Sequence, residues 1–91
     1  MKLVGRDRLI TKDKQLNTAL ATWAKVVEGA IWKHLTDVRK TYRSADPVKG
    51  HVVFDIRNNR FRLITRINYA MGVVAVHDVM THAEYLRWSA K

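Results

Sequence analysis

The sequence predicts an α+β domain, with N-terminal helices packed on an antiparallel sheet that ends in a three-stranded meander and a short terminal helix. Apolar residues in the first half recur at helical spacing, those in the second half alternate, and the change falls at His51. Size agrees: 91 residues, 47% hydrophobic with four Gly and one Pro, suit a single domain over residues 1–91 with one modest core.

Lys2-Leu3-Val4-Gly5 is short and apolar enough for an edge strand ending at Gly5. Residues 6–12 suit a short helix around Leu9 and Ile10, and Asp13 is placed to cap the helix that follows. That helix, residues 14–29, carries Leu16, Leu20, Trp23 and Val27 as one apolar stripe, with Gly29 at the expected stop. Ile31 and Trp32 are expected to fold back as core anchors, a second short helix to cover 36–42, and 43–50, with Asp46-Pro47 and Gly50, to form a loop.

Val52, Phe54 and Ile56 alternate with Val53, Asp55 and Arg57 to mark the first meander strand. Asn58-Asn59 suits a tight turn because Asn tolerates positive φ. Phe61, Leu63, Thr65, Ile67 and Tyr69 mark one face of the second strand, Met71-Gly72 the next turn, and Val73 to Val79 the third strand. Thr81 caps a terminal helix beginning near His82, and all helices are expected on one face of the sheet.

Seventeen Lys and Arg against eight Asp and Glu give a net charge of +9, a field that recruits polyanions. Residues 1–48 hold ten basic and five acidic groups, and residues 49–91 seven and three, so the excess is not a tail. The same excess would also serve plain solubility, an acidic protein partner or an anionic membrane surface. The membrane is the weakest of these, because no helix sets a basic face against a bulky apolar one. No apolar run reaches the roughly 18 residues of a membrane span, and no signal peptide opens the chain. The lack of Cys removes disulfides and thiolate metal sites and suits a reducing, cytoplasmic setting. His34, His51, His77 and His82 lack tight ligand spacing, and there is no Gly-rich phosphate loop or Ser elbow, so neither metal nor cofactor is expected.

Arg60, Arg62 and Arg66 share the face of the central strand opposite Phe61, Leu63 and Ile67, with Ile64 interrupting the row. Arg62 and Arg66 stand about 13 Å apart along a strand, a span for an RNA backbone and not for one phosphate. The planar Arg fork grips phosphate oxygens in pairs, although a solvated strand face would look the same. Lys49, His51 and Arg57 complete the candidate RNA-binding set.

Thr81-His82-Ala83-Glu84-Tyr85 packs titratable groups into one turn. RNA cleavage by 2′-hydroxyl attack needs a base, a proton donor for the leaving 5′-oxygen, and cations for the phosphorane. His82 is a residue type suited to acid/base work, Tyr85 can donate a proton, and three-residue spacing puts both on one side of a helix. A simple helix cap with a packed Tyr is the alternative.

These residues have a familiar order. Trp32, Val38 through Tyr42-Arg43-Ser44-Ala45, Val52-Val53-Phe54-Asp55-Ile56, Asn59-Arg60-Phe61-Arg62-Leu63-Ile64, Ile67-Asn68-Tyr69 and Thr81-His82-Ala83-Glu84-Tyr85 resemble the HigB family of the RelE/ParE superfamily. The opening Val4-Gly5-Arg6-Asp7-Arg8-Leu9 is similar too, so the match spans nearly the whole chain.

The resemblance implies a RelE-like fold whose concave sheet face receives mRNA in the ribosomal decoding site. It implies the toxin of a type II toxin–antitoxin system, acting as a metal-independent endoribonuclease (an mRNA interferase). It also implies a HigA-type helix-turn-helix antitoxin that leaves the cleft open, in a complex that binds its own operator DNA. Arg62 matches the family's Asn-x-x-Arg-Leu element, and His82, Glu84 and Tyr85 match its Thr-His-x-Glu-Tyr element.

Three positions depart from the pattern: His77 stands where Arg is usual, Asp55 where Asn is usual, and Leu86 where Asp is frequent. His77 either weakens phosphate binding or supplies a second acid/base group, and Val73, Ala75 and Val79 around it equally allow a plain buried histidine. A ParE-like toxin that inhibits a topoisomerase without cutting RNA, and a non-catalytic basic RNA-binding module, are the competing functions. His82, Glu84 and Tyr85 beside an Arg face favour cleavage, since an inhibitor needs no acid/base pair.

Overall fold

The computed structural model describes residues 1–58 and 60–91. The order is β1 (Lys2–Val4), a 3-10 turn (Arg6–Leu9), α1 (Lys14–Gly29), α2 (Leu35–Thr41), β2 (Asp46–Val48), β3 (His51–Ile56), β4 (Phe61–Asn68), β5 (Val73–Thr81) and α3 (His82–Ala90). The strands form one mixed sheet in the order β1-β5-β4-β3-β2, with β1 parallel to β5 and every other pair antiparallel. The α+β class and the RelE-like arrangement therefore hold. Among the described residues, no helix is long and apolar enough to cross a membrane.

Asp13 caps α1 as expected, its carboxylate accepting the N–H groups of Gln15 and Leu16. The stripe Leu16, Leu20, Trp23 and Val27 is buried against Val52, Phe54, Ile56, Leu63, Val74 and Val76 of the sheet. Val38 of α2 and Trp32 join the same core. At Gly5 the backbone turns left-handed (φ +83°), and a Cβ there would sit 2.9 Å from the Val76 carbonyl oxygen, so only glycine fits this close approach.

Several expected details change. Ile31 is 81% exposed and is no core anchor; Trp32 alone turns inward. The 6–12 helix shrinks to the 3-10 turn and leaves Ile10 78% exposed. Gly29 is the last helical residue, and the stop is made by extended Ala30, while the Met1 amino group donates to the Val27 and Ala30 carbonyls. α2 runs one residue earlier than expected, because Tyr42 is already extended and serves as its C-cap. Tyr69 falls just beyond β4, and β5 runs on to Thr81. The expected 43–50 loop contains β2, which a two-residue turn joins to β3 through Lys49 and Gly50, both at positive φ. Pro47 is tolerated there because β2 is an edge strand. Arg57 and Asn58 take the positive φ values in the β3–β4 turn, and Asn59, expected to share it, lies outside the described residues.

A bulge reverses the face of β5. Ile64 pairs with Asp78 but Thr65 with Val76, so His77 is an extra residue on β5. Val74 and Val76 face the helices before it and Val79 after it, which strict alternation would not give.

Not all helices share one face. Val53 pairs with Ile64 on the side away from Phe54 and Leu63, yet these two are only 2% and 0% exposed. α3 supplies the cover: Tyr85 lies against Arg62 and Trp88 against His51, both on that second face. The terminal helix thus doubles back across the sheet face opposite α1.

Trp23 tests the core. Trp23→Ala is expected to lower stability by about 3–5 kcal/mol, enough to unfold a marginal domain, whereas Trp23→Phe removes a buried indole N–H that has no hydrogen-bond partner among the described residues and should cost much less. Thermal melts of both variants check this; an unchanged midpoint for Trp23→Ala would contradict the burial described.

Candidate active site

The β3–β4 register places Asp55 opposite Arg62, and the two form an ion pair with Arg62 Nε 3.0 Å from an Asp55 carboxylate oxygen. The guanidinium also lies 5.4 Å from the centre of the Tyr85 ring. A central Arg on a strand is thereby held between a carboxylate and an aromatic face, with little freedom left to lose when it meets a ligand.

The start of α3 aims Tyr85. Thr81 Oγ1 accepts the Glu84 N–H at 3.2 Å, and the Glu84 carboxylate accepts the Thr81 N–H at 2.9 Å. Burial raises the Tyr85 phenol above its ordinary value, the Asp46 and Asp55 charges add to that, and Arg62 opposes it. Tyr85 therefore stays protonated at neutral pH and is equipped to donate a proton.

In front of this pair opens a polar cleft of about 360 Å³. Val53, Asp55, Arg62 and Tyr85 line one side, and Arg39 with residues 43–46 of the α2–β2 corner line the other. Sequence reasoning passes over Arg39, Arg43 and Ser44, because they sit in what reads as a helix end and a loop. It passes over Trp88 too, although Trp88 stands three residues after Tyr85 on the same helix, a signal for a shared face.

The other candidates separate. His82 is exposed at the start of α3; its backbone N–H donates to the Arg60 carbonyl at 3.1 Å, and its imidazole has no hydrogen bond or ring contact among the described residues. Glu84 spends its carboxylate on the cap, where its pKa is lowered mainly by the Thr81 N–H, and it borders a different cleft with Thr11, Asp13 and Phe61. Arg60 lies in the turn before β4 and is exposed. Arg57 points toward α1, 3.9 Å from Asp13, so it does not extend the Arg face of the sheet.

A second cluster sits under the far end of α3. His51 is only 8% exposed: its Nδ1 meets the Lys49 carbonyl at 3.1 Å, its Nε2 accepts from Arg66 Nε at 3.3 Å, and its ring touches His77 and Trp88. Those partners fit the neutral tautomer with the proton on Nδ1. His77 is exposed, against the plain buried reading, because the bulge turns it out of the core. Lys49 donates to the Trp88 and Lys91 carbonyls and lies 5.5 Å over the Trp88 ring, so it caps α3. His51 and Lys49 thus both contact α3, and of the expected RNA-binding set Lys49, Arg60 and Arg66 are exposed while Arg57 is partly buried and His51 buried. Among the described residues, no group of three or more His, Asp or Glu side chains is placed to hold a metal ion.

Comparison with known families places these features in context. The family described as HigB_toxin, RelE-like toxic component of a toxin-antitoxin system, matches residues 16–88, from α1 into α3. No curated protein matches the chain.

The His51 cluster makes stability depend on pH in a definite direction. Burial holds its imidazole below the ordinary histidine value, Arg66 and His77 push the same way, and the Lys49 carbonyl partly opposes. The unfolded chain accepts the proton near pH 6.5 and the folded one only at lower pH, so this contribution is complete above about 6.5 and is lost as pH falls toward the folded value. His51→Gln keeps a donor and an acceptor but cannot titrate. Its melting temperature should fall less than the parent's between about pH 7.5 and 5.5; equal falls would remove His51 from the acid sensitivity.

Proposed function

Because the chain belongs to the HigB family of RelE-like toxins of toxin–antitoxin systems, we propose that it is an endoribonuclease that blocks translation by cutting mRNA on the ribosome. The observation that carries this reading is the open polar cleft in which a clamped Arg62 lies against a protonated Tyr85. In the proposed reaction the substrate 2′-oxygen attacks the adjacent phosphorus and the P–O5′ bond breaks, leaving a 2′,3′-cyclic phosphate and a 5′-hydroxyl. Arg62 stabilises the charge of the phosphorane, and Tyr85 gives its proton to the leaving 5′-oxygen. The 2′-hydroxyl proton is assigned to His82, which is exposed at the start of α3, three residues before Tyr85 and outside the lining of the cleft. The RNA strand would therefore have to reach it beyond Tyr85. The scheme needs side chains alone, and it places the protein with ribosomes in the cytoplasm.

A toxin of this kind has an antitoxin partner. We infer a HigA-type helix-turn-helix protein that binds the helical side, leaves the cleft open, and carries the complex to operator DNA. Apolar contacts of that kind are not screened by salt, so co-purification with the neighbouring gene product should persist beyond about 0.3 M salt. Release below that point would favour acidic masking of the Arg face instead.

Mapping transcript 5′ ends after brief induction tests the enzyme reading. The parent should create new ends. Arg62→Ala should create none while remaining folded, with a lowered melting temperature, because it leaves Asp55 unpaired and removes the side chain on which Tyr85 lies. Tyr85→Phe and His82→Ala should each slow cleavage by about 100-fold or more. A DNA-damage response without new ends would favour the topoisomerase inhibitor, and neither response the binding module.

A further inference from the structure

The α2–β2 corner contributes groups that the proposed chemistry does not use. The Tyr42 ring packs edge-on against Phe54 at 5.4 Å, and its carbonyl accepts the Ala45 N–H at 3.1 Å, closing a β-turn. Ala45 is 1% exposed, and its carbonyl accepts from Arg39 Nε at 3.0 Å. Two anchored residues therefore bracket Arg43 and Ser44, which occupy the centre of the turn, are exposed, and line the cleft across from Arg62 and Tyr85.

Charge in the cleft is unevenly committed. Of its three guanidinium groups, Arg62 is paired with Asp55, and Arg39 serves the Ala45 carbonyl with Asp46 at 3.9 Å. Arg43 has no hydrogen bond or ion pair among the described residues. Three cations against two carboxylates leave one net positive charge, and the uncompensated one belongs to Arg43. Its turn is fixed by the core, so its position does not depend on a ligand.

We propose that Arg43, with the Ser44 hydroxyl beside it, holds a second phosphodiester of single-stranded RNA, next to the one at Arg62. This rests on the nuclease reading and adds a division of labour to it. Arg62, already neutralised by Asp55, contributes mostly where charge develops during reaction, whereas Arg43 supplies the attraction that brings the strand in. Loss of Arg43 raises KM and spares kcat; loss of Arg62 does the reverse.

The test uses the full chain and a fluorescein-labelled single-stranded 2′-O-methyl RNA, which lacks the attacking hydroxyl, with anisotropy read across a salt series. Arg43→Ala should bind about 10-fold more weakly, with the slope of log affinity against log salt smaller by about 0.7. Arg43→Lys should recover the slope. Arg62→Ala should bind nearly as the parent does while failing to cut unmodified RNA. Lys25→Ala, on the outer side of α1 with Thr18, Thr22 and Glu28, controls for net charge alone. An Arg43→Ala slope and affinity equal to the parent's, or a loss matched by Lys25→Ala, overturns the turn assignment while leaving the nuclease reading intact. A parent that does not bind the RNA overturns the Arg43 assignment alone, whereas normal production of new transcript ends by Arg62→Ala overturns the nuclease scheme with it.

Discussion

Phe54 touches aromatic rings from three separate segments: Trp23 of α1 edge-on at 5.4 Å, Trp32 stacked at 6.2 Å, and Tyr42 after α2 edge-on at 5.4 Å. Each such pair contributes about 0.5–1.5 kcal/mol beyond the area it buries, so three on one ring hold β3 firmly to one orientation. A strand cannot shift by one residue without exchanging its faces. Phe54 facing the helices therefore obliges Val53 and Asp55 to face the other way, and the β3–β4 register then delivers Asp55 to Arg62. The same ring seats Tyr42, hence the turn carrying Arg43. Both walls of the cleft are consequences of one buried side chain that lines neither.

The parts of the fold legible in the sequence are those governed by local rules. Asp13 and the stripe from Leu16 to Val27 fix α1 almost to the residue, since a cap and a helical period need no tertiary partner. Thr81 and Glu84 fix the start of α3 in the same way. β2 is hidden because its turn is Lys49-Gly50, where the first residue takes positive φ without the Asn, Asp or Gly that usually signals it, and because Pro47 argues against a strand. The bulge at His77 is hidden for a different reason: an inserted residue is visible only from the partner strand's register.

Legibility of the site divides along the same line. Arg62 and Tyr85 are legible through their motif elements, and the structure brings them together. Glu84, which reads as their companion, builds the cap that aims Tyr85. Lys49, His51 and Arg57 suggest RNA contacts by charge and position, but charge alone cannot distinguish a group offered to solvent from one spent inside the protein. Lys49 is spent on the last carbonyls of α3, Arg57 on the cap residue of α1, and His51 on a neutral contact with Arg66. A net charge of +9 therefore does not say which cations face a ligand, and much of the second face is covered by α3.

That cover explains why the terminal helix is tied at both ends. Its core-side packing is poor: no residue of α3 is fully buried, so burial alone would hold it weakly. Thr81 and Glu84 satisfy its first turn, and Lys49 satisfies its last. With both ends fixed, Tyr85 and Trp88 are set down over Arg62 and His51 at opposite ends of the face, and Val53 and Ile64 between them are sealed from water. Tyr85 owes its raised phenol pKa first to that desolvation and then to Asp46 and Asp55. The helix caps, by fixing where α3 lies, thereby act on the proton that the proposed reaction would transfer from Tyr85.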